Sequence, residues 1–331
     1  MTVLTAAAAT AVALSAQVSA HAAPAQPSKD EVKAQVDKLL EEQEQAAEKY
    51  NGAKEKADQL RKQADQLQDQ VARGQEQLTD LASGLAAVAG DQYRQGSVDP
   101  SMRLMLSSDP DKYLDQASSF DQAASTQAET LRSLKDQQRR LDQQKQEAAA
   151  VLAELDSSTQ ALNDAKNDVQ TKLQQAQKLL SQLSAADRAA ILRGGDGAAS
   201  RSSSRVDPST LPPASGYAAT AVSAALSKQG AAYVWGATGP STFDCSGLMV
   251  WAYAKAGVSL PRTSQSQATV GTNVGTDWRN AQPGDLVVYY SDRHHVGMYI
   301  GNGLVVHAPR TGDVVKTMKA DTLPISTIRR V

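Results

Sequence analysis

Along the first half of the chain, apolar residues recur at alternating spacings of four and three. From Val32 the pattern runs through Val36, Leu39, Ala46, Tyr50, Ala53, Ala57, Leu60, Ala64, Leu67, Val71, Leu78, Leu81, Leu85 and Val88, interrupted by Gln43 and Gly74. A second run passes from Tyr113 through Ala117, Phe120, Ala124, Leu131, Leu134, Leu141, Ala148, Leu152, Leu155, Leu162, Val169, Leu173, Ala176, Leu180 and Leu183. Polar gaps in it fall at Gln127, Gln138, Lys145, Thr159 and Lys166. Heptads sustained this long predict supercoiled helices. Gly90, Gly96, Pro100 and Pro110 break the helix between the two runs. The expectation is therefore an antiparallel coiled-coil hairpin over residues 29–193, each arm on the order of 80 Å long at 1.5 Å per residue. The same seam is also competent to pair two chains. Met102, Leu104, Met105 and Leu106 put an apolar cluster at the hairpin tip, either as a cap or as a docking surface for a partner.

Beyond the helices the pattern changes. Residues 194–216 are rich in Gly, Ser and Pro and read as a flexible linker. Residues 217–331 hold all three Trp (Trp235, Trp251 and Trp278) and ten Lys and Arg against six Asp and no Glu. The preceding part carries 24 basic against 30 acidic residues, so an acidic helical arm is joined to a mildly basic compact domain. The overall formal charge of −2 lacks the basic balance of a nucleic-acid binder. At the other end, residues 1–22 form an apolar run closing on Ala20-His21-Ala22, which reads as a signal peptide although no Lys or Arg precedes the run. The mature protein is expected to be soluble and secreted, or associated with the cell wall.

Chemistry concentrates in residues 217–331. Cys245 is the single cysteine of the chain, so no intramolecular disulfide forms and a reactive thiol becomes the reading to test. The polar turn Ser241-Thr242-Phe243-Asp244 precedes CSGLMVWAYAKAG, whose apolar residues have helical spacing and which ends at Gly257, so Cys245 is predicted to open a helix. A helix N-terminus favours a thiolate and lowers the thiol pKa. Asp244 opposes that with its own charge and is expected to point elsewhere; it and Ser246 read either as helix caps or as substrate-facing residues.

A base would come from the strand-rich end, where GDLVVYY, HHVGMYIG and LVVHAP follow one another. A three-residue loop Gly301–Gly303, or a bulge, pairs Gly297 with His307 and sets His295 and His307 diagonally on one face. A two-residue loop alone would separate them. His294 then alternates outward as a surface residue. Zinc is the competing use of Cys and His, but Cys245 has no CxxC or HxxxH companion.

The pieces YVWGATGPSTFDCSGLMVWAYAKAGVSLPRTSQSQ, QPGDLVVYY and HHVGMYIGNGLVVHAP, in that order, resemble the NlpC family of bacterial cell-wall cysteine peptidases, a papain-like α+β fold. The resemblance covers most of residues 217–331 and departs from the usual WGG at Ala237. It implies Cys245 as nucleophile, His295 as general base and His307 as the residue that orients the base. It implies Tyr233 in the active-site wall and Asp244 and Ser246 in substrate recognition, with Arg262, Ser264 and Gln267 either near the substrate or on the surface. Its expected substrate is the peptidoglycan stem peptide, cut between D-glutamate and the diamino acid; no cofactor is implied. The arm resembles that of secreted wall hydrolases in which such a hairpin inhibits the enzyme or docks it to a division-site membrane complex. A transacylase or amidase would use the same groups on another bond. A non-enzymatic division scaffold would need only the coiled coil, and the complete Cys245, His295 and His307 set argues against it.

Overall fold

The structure, a computed structural model, describes residues 28–94, 102, 110–192, 206–214 and 216–331. The signal-like segment, the tip cluster apart from Met102, and residues 194–205 of the linker lie outside the described residues.

Helix α1 (Lys29–Arg94) opens on a reciprocal cap: Ser28 Oγ accepts from the Glu31 amide at 3.2 Å and Ser28 N donates to Glu31 Oε2 at 2.8 Å. Helix α2 (Pro110–Ser181) returns alongside it. Lys172 Nζ reaches Glu42 at 2.5 Å, Lys56 reaches Glu154 at 2.8 Å, and Gln137 meets Gln77 at 3.4 Å, so partners recede along one helix as they advance along the other. The hairpin is antiparallel, as the break between the two heptad runs leads one to expect. A short α3 (Ala185–Leu192) seals the base, where Ile191 is buried with Val32, Val36, Leu40, Ala176 and Leu180.

The α1 seam follows the expected positions, Gln43 included, as far as Leu85, and Val88 is exposed. In α2 the seam sits one residue away at alternate positions. Leu131 and Leu152 are 47% and 44% exposed, whereas Ser158 is buried and donates to the Ala53 carbonyl at 3.3 Å. Heptad counting there followed isolated leucines, but the helix presents Leu141, Ser158, Val169 and Ala176 to α1.

The C-terminal domain is α+β. Strands β1 (Thr272–Gly275), β2 (Leu286–Tyr289), β3 (His295–Gly301), β4 (Leu304–His307), β5 (Lys316–Lys319) and β6 (Ile325–Arg330) form one sheet in the order β1-β6-β2-β3-β4-β5, with every pair antiparallel. Helices α4 (Gly216–Ser227) and α5 (Cys245–Lys255) pack on one face through Ala221, Ala225, Leu248, Met249 and Ala252 against Leu286, Val288, Val296, Met298 and Val306. Val287, Tyr289, Tyr299, Val305 and Ile328 fill the other face. Burial on both faces is why GDLVVYY is continuously apolar rather than alternating.

The structure selects one expected alternative and corrects another detail. The β3–β4 turn is the two-residue Asn302-Gly303 loop, both residues at positive φ (55° and 72°), and a bulge between Tyr299 and Gly301 restores the register that pairs Tyr299 with Val305. The bulge therefore does what the three-residue loop was invoked to do. Residues 206–214 of the presumed linker also lie on the domain: the Val206 amide donates to Gln229 Oε1 at 3.2 Å, Leu211 packs on the core, and Asn302 Nδ2 donates to the Thr210 carbonyl at 3.2 Å.

Candidate active site

Cys245 is the first residue of α5. Asp244 caps that helix, its Oδ1 accepting from the Gly247 amide at 2.7 Å, while Oδ2 accepts from the Gly236 amide at 2.8 Å. Gly247 is required here because a Cβ on it would stand 2.2 Å from the Ala237 carbonyl oxygen. Arg262 pairs with Asp244 and donates from Nη1 to Ser246 Oγ at 2.8 Å. Gln267 Nε2 donates to the carbonyls of Ser246 (3.0 Å) and Pro261 (2.9 Å). Ser264 and Gln267 are fully buried, so the surface alternative for them falls.

The β3–β4 pair brings His295 and His307 together: His295 Nε2 lies 2.9 Å from His307 Nδ1, with the rings edge to face. Burial, then the neighbouring charge of His295, hold the His307 pKa well below the usual imidazole range. With His307 neutral, the contact is a single hydrogen bond between two imidazoles, and it fixes the orientation of the His295 ring. A ring nitrogen of His295, a Glu44 carboxylate oxygen and Cys245 Sγ lie within 4.8 Å of one another. Tyr233 is buried in the same pocket, its phenol pushed up first by burial and then by neighbouring carboxylates, Glu44 foremost.

His294 is not the surface residue expected from alternation. It is 1% exposed, stacked on Tyr290 with centroids 4.2 Å apart, and its Nδ1 meets Asp292 Oδ1 at 2.5 Å. Its side chain makes none of the contacts that join His295 to His307. Its carbonyl oxygen lies 3.8 Å from Cys245 Sγ. Tyr290 and Asp292 cover the side chain that alternation would leave facing solvent.

The arm enters the site through residues of α1 that the sequence did not single out. Cys245 is fully buried because α1 crosses the cleft. Glu44 Oε1 contacts His295 Nδ1 at 2.5 Å. Glu48 Oε1 accepts from Ser246 Oγ at 2.8 Å and lies 3.7 Å from Cys245 Sγ, and Glu48 Oε2 accepts from the Ser264 amide at 2.7 Å and from Ser264 Oγ at 3.0 Å. Asn51 Nδ2 donates to Asp244 Oδ2 at 3.1 Å, and Arg262 Nη2 donates to Asn51 Oδ1 at 3.1 Å. Tyr50 packs edge-on against Trp235 at 5.0 Å, beside Ala46 and Ala47. Arg310 donates to Asp37 (2.7 Å) and to the Ile191 carbonyl (2.9 Å), and Thr311 donates to Gln43 (2.9 Å).

These contacts reverse the expected thiol chemistry. Burial first, then the charges of Glu48, Glu44 and Asp244, push the Cys245 thiol well above its ordinary pKa. Desolvation and three carboxylates outweigh the helix dipole, equivalent to about half a unit charge. With the arm in place the sulfur is a neutral thiol.

Glu44, Cys245 and His295 are also a group that could hold a metal ion. The 2.5 Å contact between Glu44 and His295 is a direct hydrogen bond. Ligand atoms about 2.0 Å from one tetrahedral zinc stand roughly 3.3 Å apart, so this geometry does not fit an ion between them.

Residues 230–327 match the NlpC/P60 family. The chain is 46% identical over 112 residues to the probable endopeptidase Cgl2188 of Corynebacterium glutamicum, a match covering 34% of this chain and 53% of that protein. It is 44% identical over 118 residues to the probable endopeptidase Rv2190c of Mycobacterium tuberculosis, covering 35% and 30%. The chain thus spans about half the length of the first of these relatives and less of the second. Among solved structures, the NlpC/p60 domain of the peptidoglycan hydrolase SagA is 30% identical, with 34% of this chain and 98% of that one covered and a TM-score of 0.32. Motif and site geometry both fall within the matched residues, and the C-terminal domain of this chain is an NlpC/P60 domain.

Proposed function

We propose that the protein is a secreted cysteine endopeptidase that cuts peptidoglycan stem peptides between D-glutamate and the diamino acid, in wall remodelling or division. The observation that carries this reading is the single thiol at the start of α5, facing a histidine whose far nitrogen is held by a second histidine at 2.9 Å. His295 Nδ1 takes the thiol proton, the thiolate attacks the amide carbonyl, and the oxyanion is met by backbone donors near Cys245. The imidazolium then protonates the leaving amine, and water activated by the same nitrogen hydrolyses the thioester. His307 keeps the base oriented by accepting from His295 Nε2–H. The names of the relatives support the wall-peptide substrate, and the signal-like segment supports export. No described helix is long and apolar enough to cross a membrane. The long arm is the element a membrane-anchored division complex would engage.

Mass spectrometry of purified sacculi after digestion tests the bond. The expected products are a fragment ending in D-glutamate and one beginning with the free amine of the diamino acid. Cleavage at the sugar–peptide amide instead would make the protein an amidase, and acyl transfer to added amine would make it a transacylase.

A further inference from the structure

We infer that Tyr290, Asp292 and His294 act together as a positioning device, a strained turn that holds the His294 carbonyl against the Cys245 sulfur and sets His295 opposite the thiol. The inference rests on the peptidase reading above and adds three residues to its machinery, none of which is required to touch the substrate.

The backbone of the turn is the first ground. Strand β2 ends at Tyr289 and β3 begins at His295, and these two residues pair across the ladder, so residues 290–294 close the hairpin directly beside the base. Tyr290 at φ 66° and Arg293 at φ 60° lie in the left-handed region without being glycine. A bulky side chain is disfavoured there, and the conformation persists only where its surroundings enforce it. The Tyr290 amide donates to the Pro324 carbonyl at 2.8 Å, the Arg293 amide to the Tyr290 carbonyl at 3.1 Å, and Gln265 Nε2 to the Asp292 carbonyl at 3.4 Å.

The second ground is the choice of histidine at 294. Asp292 Oδ1 meets its Nδ1 at 2.5 Å, and a carboxylate can only accept, so the ring proton sits on Nδ1. The other nitrogen, Nε2, is buried with no hydrogen-bond partner among the described residues. A phenyl ring would stack on Tyr290 in the same place without burying that nitrogen unsatisfied, so packing does not explain a histidine. What the histidine supplies is the bond to Asp292. Together with the Tyr290 stack at 4.2 Å, that bond fixes the His294 ring from two sides.

The third ground is what the fixed residue carries. Its carbonyl oxygen lies 3.8 Å from Cys245 Sγ, within reach of the thiol proton, and the nitrogen of the same peptide unit belongs to His295. One peptide plane therefore touches the nucleophile at one end and bears the base at the other. Turning that plane displaces both groups at once, and a shift of about 1 Å between reacting groups can cost roughly 10²-fold in rate.

The test uses the full chain carrying Glu44→Ala/Glu48→Ala, in which α1 no longer hydrogen-bonds His295 and Ser246. His294→Ala and Asp292→Ala are each expected to lower kcat on a stem peptide about tenfold with KM within about twofold of the parent, and the two together no further than either alone, because they break one unit. His294→Asn, whose amide nitrogen stands near the present Nδ1 and can donate to Asp292, is expected to stay within about threefold of the parent. His294→Phe keeps the stack and loses the bond, and is expected to fall as far as His294→Ala. Cys245 is the sole cysteine, so its alkylation by iodoacetamide reads the same placement without any substrate. It should slow about tenfold in the Ala and Phe variants, since a thiolate forms readily only beside a well-placed imidazole. Circular dichroism and the melting temperature report that the fold persists, and recovery in His294→Asn separates positioning from loss of stability. Values of kcat and alkylation rate in both Ala variants close to those of the parent would overturn the inference. So would a loss in His294→Asn equal to that in His294→Ala, or a rise in KM with kcat unchanged, which is the mark of a substrate contact. If no form cuts stem peptides the peptidase reading fails, and the order of alkylation rates alone upholds or overturns the positioning.

Discussion

Replacing Cys245 by alanine is expected to abolish cleavage of wall peptides and to leave the fold in place. The expected loss is about 10⁴-fold or more, to the floor of the assay, because the thioester has no other atom on which to form. The fold survives because the substitution deletes one sulfur at the first turn of α5, while the Asp244 cap, the Gly247 approach to Ala237 and the Arg262 pair do not involve it. The stability change should be about 1 kcal/mol or less: a small cavity is opened, and a thiol already crowded by Glu48 and Glu44 is removed. The comparison belongs in the Glu44→Ala/Glu48→Ala chain, where the docked arm does not mask the activity being lost. Retained turnover there would exclude a thiol mechanism.

His295→Ala carries the second large effect, an expected loss of about 10³- to 10⁴-fold in kcat/KM, since general base and general acid disappear together. His307 acts through His295, so it is a positioning residue and its removal should cost less, roughly 10- to 100-fold. His307→Asn places an amide oxygen near the present Nδ1 and is expected to recover most of that loss, whereas His307→Ala is not. A purely structural role for His307 would lower the melting temperature of both variants alike and show no such recovery. Measurement of kcat and KM for the three variants on one stem peptide distinguishes these outcomes.

Much of this site was legible in the chain. The turn before Cys245, the helical spacing after it and the two histidines on neighbouring strands each have a local cause, and the structure brings them together. The α1 seam was legible for the same reason, since burial along one stripe selects apolar residues at heptad spacing. Three features were hidden by the way sequence patterns average over contacts. Leu131 and Leu152 drew the α2 seam toward themselves although the helix leaves them exposed. His294 was assigned outward by alternation, but Tyr290 and Asp292 enclose it. Glu44 and Glu48 look like an ordinary solvated helix face, and nothing within α1 tells a carboxylate facing water from one facing Ser246 and Ser264.

The central claim is that the Cys245 sulfur, uncovered from the arm, takes the acyl group of a wall peptide. Intact-mass and peptide-mapping spectrometry of the Glu44→Ala/Glu48→Ala chain, quenched in acid within its first turnovers on a purified stem peptide, tests it most directly. The expected result is a mass increase equal to the glutamyl-side fragment, located on the tryptic peptide that contains Cys245 and absent after prior alkylation. Turnover of the stem peptide with no adduct on that peptide, and undiminished by alkylation of Cys245, would contradict the account.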